Sequence, residues 1–434
     1  MGSKARRSEL KALILTREYP PDIYGGAGVH VSYLARELAR LIPVEVRTFG
    51  EQAVEAGNLV VQGYGAAAAG AAGAPERFRM ALQALSVGIG VNARPIDAQV
   101  VHCHTWYAHF GGVLARLLYD IPLVVTAHSL EPLRPWKREQ LGRGADLSSW
   151  IERTALETAD AVVAVSAEMK GDILRHFDMA TDKVHVIHNG IDTEEYRPVA
   201  SRARLDRYGV DPRRPYVLFV GRISRQKGLG HLINAIPDLE PRAQVVLCAG
   251  APDTPEVARE TEDAVRRVQV ARGGVVWIRE MVDLATAVEL YSHAAVFCCP
   301  SIYEPFGIIN LEAMACETPV VASAVGGIKE VVVHGETGYL VPLDREAEPP
   351  YEPREPERFS RDLARHLNAL LADEPLRRMM GVKGRQRAEA LFSWRAIARR
   401  VLALYRSLVE PAPGAARPLG AEVPDDAVPP AGPR

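Results

Sequence analysis

The sequence predicts an α/β protein built from two Rossmann-like, doubly wound parallel-sheet domains, at 10–198 and 199–392, facing a central cleft. Three observations predict it. Apolar runs of strand length alternate along the chain with amphipathic helical patterns. Several of these runs, such as Ala12-Leu13-Ile14-Leu15, carry no polar alternation, and strands of that kind belong in sheets covered on both faces. The strand–helix alternation restarts after Pro198, and a chain of 434 residues suits two domains of ordinary size.

The first strand covers 11–16, and a helix follows from about 29 to 41, with Val31, Leu34, Leu38 and Leu41 on one face. Between them lies Gly25-Gly26-Ala27-Gly28, a Gly-rich loop at the first βα corner, where doubly wound sheets carry phosphate sites. By itself such a loop suits a tight turn or a ligand contact. The dinucleotide fingerprint fails, because Val31 stands where Gly or Ala is required. A second strand is expected at 44–49, an Ala/Gly-rich loop at 63–74 and a helix near 77–91. The next strand enters His102-Cys103-His104-Thr105-Trp106-Tyr107-Ala108-His109. Its histidines and aromatics are expected to face the crevice at the strand's carboxyl end. Trp106 or Tyr107 suits a sugar-stacking wall better than the histidines suit a metal. The strand at 122–127 ends on His128, a candidate ligand contact beside Arg134, Trp136 and Lys137. A helix at 148–158 and strands at 161–166 and 184–188 complete the first half.

In the second half a strand at 216–220 runs into Gly221-Arg222-Ile223-Ser224-Arg225-Gln226-Lys227-Gly228. Two cations on one loop, Arg222 and Lys227, suit a departing diphosphate. Further strands at 245–249 and 275–278 end at Gly250–Asp253 and at Arg279-Glu280-Met281. The strand at 294–299 leads into Pro300-Ser301-Ile302-Tyr303-Glu304-Pro305-Phe306-Gly307-Ile308-Ile309-Asn310-Leu311-Glu312. Here the amides of Phe306, Gly307, Ile308 and Ile309 open a helix, a place that favours an anion. Glu304 and Glu312, at the corner and inside the helix, can hold hydroxyls. Carboxylates beside a phosphate site point to a sugar nucleotide. Strands at 319–323 and 335–340, helices at 360–371, 376–391 and 393–408, and a Pro/Glu-rich excursion at 345–358 follow. The tail at 411–434 holds seven prolines and is expected to be disordered.

Composition excludes several function classes. A formal net charge of −2 provides no field for nucleic acid. No apolar run is long enough to span a membrane, and the first residues lack a signal-peptide core. The five cysteines form no C-x-x-C pair and read as reduced core thiols of a cytoplasmic protein. No D-x-D occurs, so fixed cations, not a metal, are expected to neutralise a leaving diphosphate. Glu18 and Glu131 are the candidate base or nucleophile in the first half, and nothing in the sequence chooses either.

Four features together resemble the retaining glycosyltransferases of family 4, with the GT-B fold. They are Glu304 and Glu312 with seven residues between, Gly221-Arg222 with Lys227, the loop at 25–28, and His128. The resemblance covers about 10–410. Within the family, the segments 17–31, 104–107 and 126–137 look most like the actinobacterial-type glycogen synthases. Those resemble ADP-glucose-dependent α-1,4-glucosyltransferases, some of which use glucose 1-phosphate as acceptor and make α-maltose 1-phosphate. The resemblance implies that the helix at 393–410 crosses back to the first domain. It implies a catalytic set of His128, Arg222, Lys227 and Glu304. Donor binding would further involve Gly26, Met281, Phe306, Gly307, Ile308, Ile309 and Glu312, with Glu312 on the ribose. Acceptor binding would involve Tyr24, His104, Trp106, Arg134 and Lys137. Arg134 and Lys137 suit an acceptor phosphate or simply face solvent. No cofactor is implied beyond the nucleotide-sugar donor, ADP-glucose before UDP-glucose. The acceptor is an α-glucan or glucose 1-phosphate; the alternatives are a family 4 enzyme acting on a lipid-linked sugar or small metabolite, or a non-catalytic sugar-nucleotide binding protein, and a homodimer is left open. Alanine at Glu304 or Lys227 is expected to lower turnover steeply with the thermal melt near wild type.

Overall fold

A computed structural model describes residues 10–23, 25–65, 73–134, 142–346 and 350–410. Tyr24, Lys137, most of the Ala/Gly-rich segment and the tail at 411–434 lie outside the described residues.

The strands fall into two sheets. The first holds β1 (Ala12–Leu15), β2 (Val44–Phe49), β3 (Ala53–Ala56), β4 (Leu59–Tyr64), β5 (Val100–His104), β6 (Leu123–Ala127), β7 (Ala161–Ala164) and β8 (Val184–Val186), in the order β3-β4-β2-β1-β5-β6-β7-β8. The second holds β9 (Tyr216–Arg222), β10 (Gln244–Gly250), β11 (Val275–Ile278), β12 (Val296–Cys299), β13 (Val320–Ser323) and β14 (Gly338–Val341), in the order β11-β10-β9-β12-β13-β14. All pairings are parallel except β3 with β4. Both sheets are doubly wound, as their unbroken apolar strands require. Ala12 to Leu15, Val245 to Leu247 and Val296 to Cys299 are at most 2% exposed, consistent with helices over both faces.

Strand order reverses between β1 and β5 in one sheet and between β9 and β12 in the other. Loops after such neighbouring strands run to opposite faces and leave a crevice at their carboxyl ends. In register, Leu15 pairs with Cys103, and Phe297 with Leu218. The four loops after β1, β5, β9 and β12 therefore carry most of the candidate ligand-binding residues.

The structure corrects two local expectations. The segment from 63 onward does not begin a loop: β4 runs to Tyr64 and pairs antiparallel with β3, Ala53 opposite Gln62. Gly57, with φ +61°, turns the hairpin. β3 is exposed along its length, so no buried face marked it in the sequence. The Gly-rich stretch is also not a loop throughout. The helix starts at Gly26 and runs to Ala39, with Gly25 as its N-cap.

The helix Trp394–Val409 packs on the first domain, although its chain has just left the second. Trp394, Ile397, Val401 and Tyr405 share a core with Ile14, Val31, Leu34 and Leu38. The Ile191 amide donates to the Phe392 carbonyl at 2.7 Å, tying the exit of the first domain to the entry of this helix. All five cysteines are buried free thiols. No helix among the described residues is long and apolar enough to cross a membrane.

Candidate active site

The two domains enclose a cleft of about 1160 Å³, lined from both sides by the loops at the switch points. On the second-domain side, β9 ends at Arg222 and a short turn, Arg225–Lys227, follows. Arg222 pairs through Nη1 with Asp253, and Arg225 with Glu260 at 3.2 Å. The Lys227 ammonium donates to Glu304 Oε2 at 2.6 Å, and the Ser301 hydroxyl donates to the same oxygen at 3.2 Å. Burial works against the charge on Lys227, but Glu304 outweighs it and the pKa is raised. Gly307, at φ +91°, caps the helix Ile308–Ala315 and aims its N-terminus into the cleft, where Phe306, Gly307, Ile308 and Ile309 form part of the wall. The loop after β13 closes over Glu304 from behind: the Gly327 amide donates to the Glu304 carbonyl at 3.1 Å.

On the first-domain side, the Glu18 carboxylate accepts from the Gly25 amide at 2.8 Å and so fixes the start of the first helix. Gly26 lines the cleft, and a Cβ built there would lie 3.9 Å from Ile308 Cδ1 of the second domain. The Arg17 guanidinium lies over the Tyr107 ring at 4.2 Å, and Tyr107 stacks on Trp106 at 4.0 Å between centroids. Arg134 donates from Nη1 to the Ser129 hydroxyl at 3.0 Å, while its buried Nε has no partner among the described residues. His128 lines the cleft just past β6.

The structure thus brings His128, Arg222, Lys227, Glu304, Gly26, Trp106, Arg134 and 306–309 to one cleft. Other residues named from the sequence are placed differently. Met281 is 73% exposed and stands away from the cleft; its loop follows β11, two strands from the switch point. Glu312, half-buried inside the helix, accepts at its two oxygens from the hydroxyls of Tyr196 at 3.2 Å and Tyr291 at 2.8 Å. Burial, resisted by those hydroxyls, raises its pKa. His104 is fully buried as the last residue of β5, so it is no wall residue; its Nδ1 faces His128 Nε2 at 3.0 Å. His102 likewise points into the core, bonded to Tyr405 and Thr126 at 2.6 and 2.7 Å. The histidines that converge are His30, His104 and His128, with nitrogens within 4.8 Å of one another, not His102, His104 and His109. Tyr24 and Lys137 lie outside the described residues. Of the two candidate acids, Glu131 is nearly buried and accepts from the Ser148 hydroxyl at 2.7 Å, a structural bond.

The sequence reading did not single out Arg17, Asp253, Tyr196 or Tyr291. The signal for Arg17 was its place at the end of β1, beside the glycines. The two tyrosines lie 116 and 21 residues from Glu312, and no spacing rule links them to it.

The domains also touch beside the cleft. Glu330, from the helix Ile328–Val331 of the second domain, accepts from His188 Nε2 and the Ala167 amide, both at 2.8 Å. Lys329 and Arg345 pair with Glu168 of the first domain. Burial raises the Glu330 pKa, but the bonds from His188 and the Ala167 amide lower it more, and the net shift is downward. A depressed carboxyl contributes stability that is present above its unfolded value and lost as pH falls through its folded one. Acid melts below about pH 4.5 are therefore expected to soften the wild type more than Glu330→Gln. Parallel acid profiles for the two would refute this contact's contribution.

Residues 24–195 match the family described as Glycosyltransferase Family 4, and 214–349 the one described as Glycosyl transferases group 1. The chain is 48% identical to alpha-maltose-1-phosphate synthase of Mycolicibacterium smegmatis, over 92% of this chain and 100% of the relative. It is 31% identical to D-inositol 3-phosphate glycosyltransferase of Corynebacterium aurimucosum, over 88% of this chain and 90% of the relative. Among solved structures, sucrose-phosphate synthase from Thermosynechococcus elongatus superposes with a TM-score of 0.74 at 26% identity, covering 92% of this chain and 99% of that one. With two facing parallel-sheet domains and this match along nearly its whole length, the chain belongs to glycosyltransferase family 4, as a hexosyltransferase of GT-B fold.

Proposed function

We propose that this enzyme moves α-glucose, with retention, from ADP-glucose to the 4-hydroxyl of glucose 1-phosphate, forming α-maltose 1-phosphate in cytoplasmic α-glucan biosynthesis without a metal or cofactor. One observation carries the choice of acceptor. The cleft cations of the second domain, Arg222, Arg225 and Lys227, each have a carboxylate partner. Arg17 and Arg134, on the first-domain side, have none among the described residues. Although Glu18, Glu131 and Glu152 share that wall, two guanidinium groups outside any ion pair favour an anion there, and their forks suit phosphate. The relatives' names agree with an anionic acceptor, since each carries a phosphate on a sugar or polyol.

Each group then has a task. Arg222 and Lys227 hold the donor diphosphate, with the helix N-terminus at 308 adding a favourable dipole. Glu304 takes glucose hydroxyls. His128 meets the transferred glucose. The bond from the anomeric carbon to the leaving phosphate oxygen breaks as the acceptor 4-oxygen attacks the same face. The acceptor's proton passes to that phosphate oxygen, so no carboxylate nucleophile is needed. Glu18 and Glu131 fit this, since each is engaged in holding local structure.

Release of ADP, measured in chelator with glucose 1-phosphate or with neutral maltooligosaccharides, tests the proposal. Glucose 1-phosphate is expected to be the faster acceptor. Arg17→Ala and Arg134→Ala are each expected to raise its KM about tenfold or more, the loss of one charge-assisted contact, while shifting the KM of a neutral acceptor little. Equal losses on both acceptors would overturn the phosphate assignment. ADP release with neither acceptor would overturn the glucosyl transfer itself.

A further inference from the structure

We infer that His104 is a positioning residue: it donates from Nδ1 to His128 Nε2 and so holds His128 as the tautomer whose Nδ1–H points into the cleft. The inference rests on the proposed contact of His128 with the transferred glucose for its functional meaning, but not for its geometry.

His104 closes β5 and His128 follows the neighbouring strand β6; in the ladder His104 lies opposite Thr126. That register carries the two imidazoles to the same end of the sheet, Nδ1 of one 3.0 Å from Nε2 of the other. Burial holds both rings well below their ordinary pKa, so both are neutral. A neutral pair bonded nitrogen to nitrogen has one donor and one acceptor. Two arrangements exist, and the far nitrogen of His104 decides between them.

His104 Nε2 is enclosed and has no partner among the described residues. If His104 accepted from His128, its own proton would sit on Nε2 as a buried N–H with nothing to receive it. If His104 donates, Nε2 carries only a lone pair. An orphaned buried N–H is the rarer and costlier defect. His104 is therefore the donor, and the proton of His128 is left on Nδ1. That nitrogen is not among the enclosed, unpartnered atoms, and His128 lines the cleft. A sugar hydroxyl there meets an N–H donor. With the protons exchanged it would meet a bare lone pair, and the choice of hydroxyl and its orientation would change.

The ring of His128 is also fixed sideways. His30 lies edge-on to it, with centroids 4.7 Å apart and planes at 79°. His30 is itself held by donating from Nδ1 to Asn189 Oδ1 at 2.7 Å, and by an edge contact with Trp394 at 5.1 Å. His128 thus has one bonded edge, one packed side and one open nitrogen.

Two-bond proton–nitrogen correlation spectra of the free, ¹⁵N-histidine-labelled protein test this without any substrate. The His128 signals are assigned by their loss in His128→Ala. The expected result is the Nδ1–H tautomer for His128 in the wild type. An Nε2–H tautomer there would overturn the inference, whatever the variants do. Stoichiometric zinc in the isolated protein, lost in His104→Asn, would overturn it too, because the facing nitrogens would then be ligands. His104→Leu removes the donor, whereas His104→Asn keeps an amide N–H near the place of Nδ1. His104→Leu is expected to give mixed His128 tautomers and to lower kcat roughly ten- to a hundredfold, by analogy with losing the partner that orients a metal-bound histidine. His104→Asn is expected to recover most of both. If His104→Asn melted like wild type yet turned over no faster than His104→Leu, positioning would be excluded. Full turnover by His128→Ala would instead sink the sugar contact of His128 and leave the tautomer standing.

Discussion

Lys227→Ala is expected to lower kcat by about 10²- to 10³-fold, the cost of removing one preorganised group from a developing charge. The leaving diphosphate gains negative charge as its bond to glucose breaks, and Lys227 is the compact cation on the turn after β9. Without ligand, that ammonium is already held by Glu304 at 2.6 Å, with both side chains largely shielded, at 17% and 8% exposure. Lys227 is thus placed before the donor arrives. Glu304→Ala is expected to lower turnover as well, and the double variant by much less than the product of the two. Independent effects in a double-mutant cycle would mean that the two act at separate places.

The same pair changes what the melts should show. From the sequence alone, each alanine variant was expected to melt near wild type. A nearly buried pair does not permit that, since removing one partner strands the other charge at a cost of about 3 kcal/mol. Each single variant is expected to melt several degrees lower, and the double variant higher than the sum predicts. The raised pKa of Lys227 sets the pH range. Its contribution is complete below its unfolded value and lost only as pH rises through the folded one, so assays near neutrality see the intact pair.

The fold was legible because its parallel strands are buried on both faces and read as unbroken apolar runs. Ala12 to Leu15 and Val296 to Cys299 could be placed from four residues each. Once the strands are placed, the loops that end them locate the cleft, which is why Arg222, Lys227, Glu304 and His128 all line it. What failed was what depends on depth or on distant partners. β3 was invisible because it buries no face. The sequence puts His104 on the wall because it does not say where a strand stops and its loop begins. Met281 was drawn in by its place after a strand, but β11 is an edge strand far from the switch point. Glu312 was recognised, but not the tyrosines that hold it. Lys227 and Glu304 were both named, yet as separate contacts. Their 77-residue separation hid the ion pair.

Gly326→Ala is expected to lower both turnover and stability, and a second glycine separates the causes. Gly326 has φ +52°, and a Cβ built there would lie 1.8 Å from the carbonyl oxygen of Glu304. That oxygen also accepts from the Gly327 amide at 3.1 Å. A backbone carbonyl cannot swing aside as a side chain can, so the added methyl has to push the corner that carries Glu304 or open the loop over it. Gly335 has φ +80° with nothing within 4 Å of such a Cβ. Gly335→Ala therefore meets only the conformational penalty of a left-handed residue, about 1 kcal/mol. It is expected to melt slightly lower and to turn over normally. Gly326→Ala carries that penalty plus the displacement of Glu304. A shift of about 1 Å at a positioning group can cost on the order of 10²-fold in rate. The expected signature is a kcat loss of that size, a raised donor KM and a melt well below that of Gly335→Ala. Should Gly326→Ala match Gly335→Ala in turnover, the position of the Glu304 corner would not limit the reaction, and its proposed grip on the donor sugar would have to be abandoned.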